Sequence, residues 1–577
     1  MNQPVWSSWR QAVLLMLLGA TPLVAGAETA DTAYLNGRIY TVDAEQTWAE
    51  AVAIKDGRFI AVGSRDALAP VIGANTRVTD LGGRLAMPGI HDLHIHPVGG
   101  TLTTLYGCNF PPAAPVSEIT ARIGACAKAQ PAGTWIRGGV FAAQLLDSDP
   151  ALQRSMLDAV APDHPVILRS SGGHTAWVNS AALKAAGIDR NTPDPENGFI
   201  RRDAATGEPT GLLHESAGRL VQDRIPDYTP EQYATAVASF ARDLNRQGVT
   251  SIKDASVSPE LLAVYREADR SGTLTLRVAA SLTLRTEAGS LEEQMAMVRG
   301  RNQYRTPHIN PDFVKIFVDG SAGARKAAFL EPYRDDPRHE AGYTGEFLIA
   351  PELLKEYLIR LDREGVSVKM HCGGDAAVRA ALDAIEAARS ANGNSGIPHE
   401  ISHPNLVHGD DIARFGSLNA VADLTPVTWY PNPILDLLTR ALGEQRVQQM
   451  WQIRNLVATG AIAVYGSDWP AVTPNTNPWR AMEAMITRRN PDTASGEAFV
   501  AEQAVDLETA IRIFTRNGAY AMRHEAEVGT IETGKAADMI VLAENLFEML
   551  PERIDATRVI LTLLDGEEVY RDESLAP

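Results

Sequence analysis

The sequence predicts an α/β protein: a (β/α)8 TIM-like barrel with an inserted subdomain, and a small composite β-sandwich formed by both termini. Two observations lead to this prediction. In the middle of the chain, short β-branched runs alternate with long helical stretches, as in a parallel (β/α)8 barrel. Hairpin-like strands occur at both ends, and neither end has enough of them to complete a sheet. The predicted segments are a signal peptide at 1–27, β-domain parts at 28–86 and 521–577, and the barrel at 87–520.

The first 27 residues have the features of a secretory signal. Arg10 precedes an apolar run from Ala12 to Ala20, and Ala25-Gly26-Ala27 has the small-x-small form that signal peptidase accepts. The alternative is a membrane anchor, but the run is shorter than the roughly 20 residues that cross a bilayer. We therefore expect cleavage after Ala27, a periplasmic or secreted protein, and no membrane span in the mature chain.

Length and charge limit the class of partner. The 577-residue chain has a net charge of −18, and removing 27 residues that carry Arg10 and no acid leaves 550 residues with −19. This charge repels the phosphates of nucleic acids, so the expected partner is a small-molecule substrate. A mature chain of this length exceeds one hydrophobic core, so at least two structural units are expected. A homodimer is left open.

The chain contains only three cysteines, Cys108, Cys126 and Cys372. Cys108 and Cys126 lie 18 positions apart and could form a disulfide in an oxidising compartment. The alternative is a pair of buried free thiols. Cys372 directly follows His371 and is better considered with the functional site.

Both termini contain β-rich segments. Ala33–Val42 is predicted as strand, Asn-Gly turn and strand, and Ala51–Val62 as a second hairpin with an Asp-Gly turn. At the C-terminus, Met539–Leu542, Val559–Leu564 and Val569–Tyr570 are further hairpin strands. We expect one small β-domain assembled from both ends.

Eight strand candidates with helical spacers make up the predicted barrel. They are Ala86–His96, Val249–Ala255, Leu276–Leu284, Phe313–Asp319, Val366–His371, His399–His403, Asn419–Leu424 and Ala461–Asp468. Positions 97 to 248, which are 152 residues, separate the first two and are too many for one βα unit. Thr134–Gly139 and Pro165–Ser171 resemble additional strands there, which predicts an insertion at about 105–240.

Metal-ligand residue types occur at the ends of several of these strands, where barrel enzymes place their chemistry. On the first strand, Asp92, His94 and His96 share one face, so two imidazoles can bind one cation. His91 lies on the other face and is interpreted as structural. The fifth, sixth and eighth strands end in His371, His403 and Asp468. Imidazoles and carboxylates suit Zn²⁺ and related divalent ions.

Lys315 lies within the apolar fourth strand, where an unpaired ammonium would be costly. It could pair with Asp319, extend to the rim, or be carboxylated by CO₂ so that its carbamate bridges two metals. Spacing alone does not select among these options.

The chain resembles the amidohydrolase superfamily, specifically the amidohydrolase-3 branch of YtcJ-like and N-substituted formamide deformylase-like proteins. The resemblance covers nearly all of the mature chain. The matching segments are Asn36–Thr41, Leu81–Arg84, Pro88–His96, Gly173–Ser180, Lys315–Ser321, His371–Asp375, Gly466–Asp468 and Gly529–Asp538. The resemblance implies that His94 and His96 bind the more buried metal and that His371 and His403 bind the second metal. It also implies that carboxylated Lys315 bridges the two metals, and that Asp468 contacts the metal and acts as the general base.

Three positions depart from the family pattern. Ser402 occupies the position before the sixth-strand histidine, where the family often has an acid. The seventh-strand segment Thr425-Pro426-Val427-Thr428 lacks the histidine that the family has there. Cys372 follows His371 at a position where alanine is usual. These changes leave the ligand set intact and bear on the substrate.

The resemblance and the ligand set together predict a zinc-dependent hydrolase with one or two ions. A metal-bound hydroxide, with Asp468 as general base, would cleave a carbon–nitrogen (non-peptide) bond of a small amide, formamide or cyclic amide. His174 is a candidate for catalysis and substrate binding, or for a purely structural role at its Gly-Gly turn. Arg325 either binds a substrate carboxylate or is a solvated rim residue. The alternatives are a carbon–oxygen bond hydrolase or isomerase on the same site, and a non-catalytic metal-binding barrel.

Overall fold

The computed structural model describes residues 28–111, 113–142, 145–146, 151–170, 175–196, 198–285, 289–337, 339–493 and 496–575. The predicted signal peptide and His174 lie outside these residues. The strands are β1 (Thr32–Leu35), β2 (Arg38–Tyr40), β3 (Trp48–Ala49), β4 (Ala51–Lys55), β5 (Arg58–Gly63), β6 (Arg77–Asp80), β7 (Leu85–Pro88), β8 (Ile90–Ile95), β9 (Ile136–Phe141), β10 (Val166–Ser170), β11 (Thr175–Val178), β12 (Gly198–Arg202), β13 (Pro209–Glu215), β14 (Val249–Val257), β15 (Arg277–Thr283), β16 (Ile309–Phe317), β17 (Ser367–His371), β18 (His399–Ser402), β19 (Ala420–Leu424), β20 (Ile462–Tyr465), β21 (Met539–Leu542), β22 (Val559–Leu564) and β23 (Glu567–Arg571). The α-helices are α1 (Arg65–Leu68), α2 (Pro97–Tyr106), α3 (Val116–Ala129), α4 (Arg154–Asp158), α5 (Ser180–Ala186), α6 (Ala217–Gln222), α7 (Pro230–Asn245), α8 (Pro259–Arg270), α9 (Leu291–Arg299), α10 (Pro351–Arg363), α11 (Asp375–Asn392), α12 (Gly409–Ser417), α13 (Pro433–Leu442), α14 (Glu444–Val447), α15 (Ile453–Ala458), α16 (Pro478–Thr487), α17 (Leu507–Phe514) and α18 (Arg516–Ala521).

The predicted barrel is confirmed as a sheet of eight parallel strands, in the order β8-β14-β15-β16-β17-β18-β19-β20. Beyond the end of β20, two backbone hydrogen bonds join the last strand to the first. The amide of Asp468 donates to the His94 carbonyl (2.6 Å), and the amide of His96 donates to the Trp469 carbonyl (2.9 Å). The Asp92 carboxylate also accepts from the Ser467 amide at 2.9 Å. These bonds close the barrel at its C-terminal mouth.

The predicted first strand, Ala86–His96, is wrong as one element because it is two strands in two different sheets. β7 pairs with β2 and β21 in the terminal domain, whereas β8 starts the barrel. Gly89 lies at the change of sheet, and a Cβ there would lie 2.2 Å from the Thr250 hydroxyl oxygen. The apolar run continues through this point, so the sequence pattern does not reveal it.

The terminal strands form two facing sheets, ordered β23-β22-β21-β7-β2-β3 and β5-β4-β1-β6. Side chains from both, including Val52 and Phe59 of one sheet and Val541 and Leu561 of the other, share one buried core. The hairpin predicted over Ala33–Val42 is wrong, because β1 and β2 belong to different sheets. Its Asn-Gly turn connects a strand of one sheet of the sandwich to a strand of the other. The other predicted hairpins are confirmed, since β4 pairs with β5, and β22 pairs with β21 and β23.

Between β8 and β14 the chain forms a separate five-stranded sheet, ordered β12-β13-β11-β10-β9. A disulfide joins Cys108, just before this sheet, to Cys126 on α3, with a Cα–Cα distance of 6.1 Å. In the described residues, no helix has the length and apolar character needed to cross a membrane.

A charged cluster fastens the barrel to the terminal sandwich. Arg277 on β15 binds Asp538 (Nε–Oδ2, 2.8 Å) and also contacts Asp565 in the β22–β23 turn. The ring of His308 bridges Asp269 (2.6 Å) and Asp565 (2.8 Å). The hydrogen bonds to Asp565 and Asp269 raise the pKa of His308 above its usual value.

This shift predicts that the contribution of His308 to stability depends on pH. The raised pKa means that folding favours the protonated ring. The contribution is complete below the unfolded pKa of about 6.5 and is lost as pH rises through the higher pKa of the folded protein. In urea denaturation, we expect His308→Gln to lower the midpoint more at pH 5.5 than at pH 8.5. A loss of equal size at both values would contradict this account.

Candidate metal centre

Three candidate ligands from the first and last barrel strands lie together at the mouth. His94 is on β8, His96 follows it, and Asp468 follows β20. The Nε2 atoms of His94 and His96 lie 3.9 and 3.4 Å from Asp468 Oδ1. One ligand atom from each residue lies within 4.8 Å of those of the others, a spacing that suits a single divalent ion.

Two further histidines border this group. The ring centroids of His403 and His94 are 4.5 Å apart, and those of His371 and His403 are 5.1 Å apart. His403 Nε2 lies 3.9 Å from Asp468 Oδ2. The structure therefore brings His371 and His403 next to the first three residues, in one continuous cluster.

The backbone after β18 and β20 turns these side chains towards the mouth. His403 and Asp468 have φ angles of 59° and 52°, in the left-handed region that residues with a Cβ seldom adopt. Each amide is held in place, since that of His403 donates to the Asp423 carbonyl at 3.1 Å and that of Asp468 to the His94 carbonyl. Strained conformations of this kind are typical of functional sites.

Neighbouring side chains fix the orientation of the imidazoles. Asp423 accepts from His94 Nδ1 at 2.7 Å, and Asp319 accepts from His371 Nδ1 at 3.1 Å. With the proton on Nδ1, the Nε2 lone pair of each ring is available to a cation. Three backbone amides, those of Ala328, Gly373 and Gly374, also donate to Asp319 and hold its carboxylate.

The electrostatics keep His94 and His403 neutral and Asp468 ionised. Burial lowers the pKa of His403 to about 3, and burial together with the charge of Lys315 lowers that of His94 well below its usual value. Burial alone would raise the pKa of Asp468, but its hydrogen bond with His96 and the nearby imidazoles hold it below the usual range. Neutral imidazole and carboxylate are the forms that bind metal ions.

Lys315 lies inside the barrel mouth and is almost fully buried. Burial, together with the charge of Lys369, lowers its pKa to about 8. The pairing with Asp319 that the sequence left open does not form, because the described partners of that carboxylate are His371 and the three amides. The Lys315 ammonium lies 5.3 Å from the centre of the Phe317 ring.

A cavity of about 1020 Å³ lies between the barrel mouth and the inserted sheet. The barrel contributes Thr283, Leu284 and Phe317, and the insertion contributes side chains that include Arg169 and Glu215. Phe317 also packs near the cluster, with its ring centroid 5.7 Å from that of His371. The cavity is large enough for a small-molecule substrate.

Comparison with known proteins identifies the family. Residues 77–570 match the family model described as "Amidohydrolase family". The chain belongs to the amidohydrolase family. It is 28% identical to "Putative amidohydrolase YtcJ" of Bacillus subtilis, over 92% of this chain and 98% of that protein. It is also 28% identical to "N-substituted formamide deformylase" of Arthrobacter pascens, over 93% and 97%.

A solved structure supports the fold. An uncharacterized metal-dependent hydrolase from Pyrococcus horikoshii has a TM-score of 0.73 with 24% identity, covering 90% of this chain and 99% of that one. The amidohydrolase family is metal-dependent, and the protein is accordingly a hydrolase with a candidate metal site at His94, His96 and Asp468.

The described contacts of Arg325 lie within its own loop, and its substrate-binding role stays a prediction. Its guanidinium lies 3.3 Å from the Asp336 carboxylate and stacks near Tyr333, within the loop between β16 and α10. These contacts favour a role in holding the loop. His174 lies outside the described residues, so both interpretations of it stay predictions. His91 is buried against Gly518 of α18, as a structural residue would be.

The sequence analysis missed Asp423 on β19, the partner of His94. It also missed three other charged residues buried in the barrel interior, Lys253, Lys369 and Glu400. A charge between apolar neighbours, the signal that indicated Lys315, is also present at Lys369 and Asp423, whereas polar residues adjoin Lys253 and Glu400.

The geometry predicts that His96 is required for cation binding. His96→Gln should lower the affinity for Zn²⁺ by more than about tenfold, measured by competition with a chromogenic chelator. His408→Gln, which alters a half-exposed histidine capping α12, is the control and should bind as wild type does. Equal affinities for all three proteins would exclude His96 from the site.

Proposed function

We propose that this amidohydrolase hydrolyses a carbon–nitrogen bond of a small amide, formamide or cyclic amide at a divalent cation, with zinc the expected ion. The observation that carries the proposal is the meeting of His94, His96 and Asp468 at the closed barrel mouth, beside a cavity of substrate size. The 28% identity with N-substituted formamide deformylase over almost the whole chain supports the bond type.

The residues present fit such a cation. Both His94 and His371 have Nδ1 committed to a carboxylate, so their Nε2 atoms are available, and Asp468 adds an oxygen donor. We propose that His94, His96 and Asp468 hold one ion and that His371 and His403 contribute to a second. When bound, a divalent cation lowers the pKa of water and polarises the carbonyl that is attacked.

Asp468 is the proposed general base. Its carboxylate is buried, ionised, and 3.4 Å from His96 Nε2. It would accept a proton from the attacking water and return it to the departing nitrogen, so that the amine leaves as a neutral molecule. Phe317 and Leu284 would exclude bulk water from one side of the reacting group.

Asp468→Asn tests this role. Hydrolysis of an N-substituted formamide should fall by about 10²–10⁴-fold, the usual contribution of general acid–base catalysis, while zinc content falls much less. The measurements are kcat with zinc in excess and metal analysis of the purified protein. Asp410→Asn, at an exposed position on α12, should leave both values unchanged. Turnover by the Asp468 variant at the wild-type rate would remove Asp468 from the chemistry.

We further propose that the Lys315 amine is carboxylated and bridges two cations. Two observations support this. The Lys315 side chain is buried in the barrel mouth, and no described carboxylate contacts it. Its pKa is lowered, which favours the neutral amine, the form that reacts with CO₂. A carbamate would add a second negative charge to that of Asp468, beside the neutral imidazoles of His94 and His403.

This proposal predicts a dependence on CO₂. Metal-free wild-type protein reconstituted with zinc in CO₂-free buffer should bind fewer ions, and added bicarbonate should restore binding and turnover. Lys315→Met should bind one ion fewer and should not respond to bicarbonate. A wild-type protein that binds two ions and is fully active without CO₂ would contradict the carbamate.

The proposed site of action is an oxidising compartment, periplasmic or extracellular. The support is the signal-like sequence at 1–27 and the Cys108–Cys126 disulfide.

A further inference from the structure

Four ionisable side chains form a continuous row inside the barrel, below the proposed cation centre. They are Lys253 on β14, Glu400 on β18, Lys369 on β17 and Asp423 on β19, all with fully buried side chains. Lys253 contacts Glu400, the Lys369 ammonium lies 2.7 Å from Glu400 Oε2, and the same ammonium lies 2.6 Å from Asp423 Oδ2. The row therefore alternates in charge and is neutral overall.

Stability alone does not account for this row. Removing four charges from water is costly, and well-packed apolar residues of similar volume often replace a buried ion pair with no loss of stability. A buried charge network is better explained where it fixes one particular arrangement of the groups that its ends contact.

The two ends of the row differ. At one end, Lys253 donates to the Ala521 carbonyl at 2.9 Å and lies over the Phe313 ring. At the other end, Asp423 Oδ2 accepts from both Lys369 and His94 Nδ1, at 2.6 and 2.7 Å. Only the second end contacts a proposed cation ligand among the described residues.

The surroundings confine the His94 end. A Cβ on Gly466 would lie 2.3 Å from His94 Cβ and 3.0 Å from Asp423 Oδ1, so the backbone directly after β20 passes against both side chains. The carboxylate is thus enclosed by this backbone on one side and by Lys369 on the other. Besides the imidazole itself, the Lys369 ammonium is the described hydrogen-bond donor to this carboxylate, whose Oδ1 has no described partner.

We propose that Lys369 is a positioning residue which, through Asp423, holds His94 in the orientation that presents Nε2 to the cation. The residues proposed to orient the metal ligand are therefore Lys369 and Asp423, which act on His94. The Lys253–Glu400 pair has no part in this orientation. This inference rests on the proposed cation centre and assigns Lys369 a role that goes beyond it.

Two charge-neutral double variants separate positioning from structural support. Lys369→Met/Asp423→Asn removes the inner cation and anion, and Lys253→Met/Glu400→Gln removes the outer pair. Each removes one positive and one negative charge from the barrel interior, so neither variant changes its net charge.

The experiment measures Zn²⁺ affinity by chelator competition and the unfolding temperature of the metal-free proteins. The inner double variant should bind zinc about 10–100-fold more weakly, as expected when a residue that orients a metal ligand is lost. The outer double variant should bind within about threefold of wild type. The unfolding temperatures should fall by similar amounts, because both variants lose the same kind of buried pair.

Comparable zinc affinities for the two variants would overturn the inference, as would a loss of affinity confined to the outer variant. An inner variant that unfolds at room temperature would be replaced by Lys369→Met alone, which should bind zinc about 10–100-fold more weakly than wild type. Lys369→Arg keeps the positive charge and should restore at least half of that loss, expressed as a free energy, if the role is positioning. Wild-type protein that binds zinc but hydrolyses no amide would contradict the proposed function alone, whereas wild-type protein that binds no zinc would overturn both.

Discussion

The closure of the barrel between its first and last strands is the constraint on which the candidate site depends. His94 and His96 lie at one edge of the eight-stranded sheet and Asp468 at the other. They meet only because two backbone hydrogen bonds, between Asp468 and His94 and between His96 and Trp469, join these edges at the mouth. The left-handed backbone at Asp468 follows from the same closure, since the chain must turn inward as it leaves β20.

A second constraint is electrostatic. The barrel interior excludes water, so each ionisable group there must be neutral or paired. The imidazoles of His94 and His403 are held neutral by burial, whereas Asp423 stays ionised because Lys369 and His94 contact it, although burial alone would raise its pKa. The imidazoles of His94 and His403 and the carboxylate of Asp468 are therefore already in the forms that bind a cation, which limits the reorganisation that binding requires.

Local sequence patterns were sufficient for the barrel and for most of the candidate site. Histidine and aspartate at the ends of successive strands placed His94, His96, His371, His403 and Asp468 correctly near one another. What escaped the sequence depended on contacts between distant positions. The Asn36-Gly37 turn is the same locally whether it reverses a hairpin or turns a corner between sheets, and Asp423 is 329 residues from the ring that it orients.

The most direct test of the account is the position of a bound cation. Crystals of the protein loaded with zinc, measured at the zinc absorption edge, should give an anomalous difference peak about 2.0–2.2 Å from His94 Nε2, His96 Nε2 and an Asp468 oxygen. A peak elsewhere on the protein, or no peak at the mouth at saturating zinc, would contradict the claim that barrel closure assembles a metal centre.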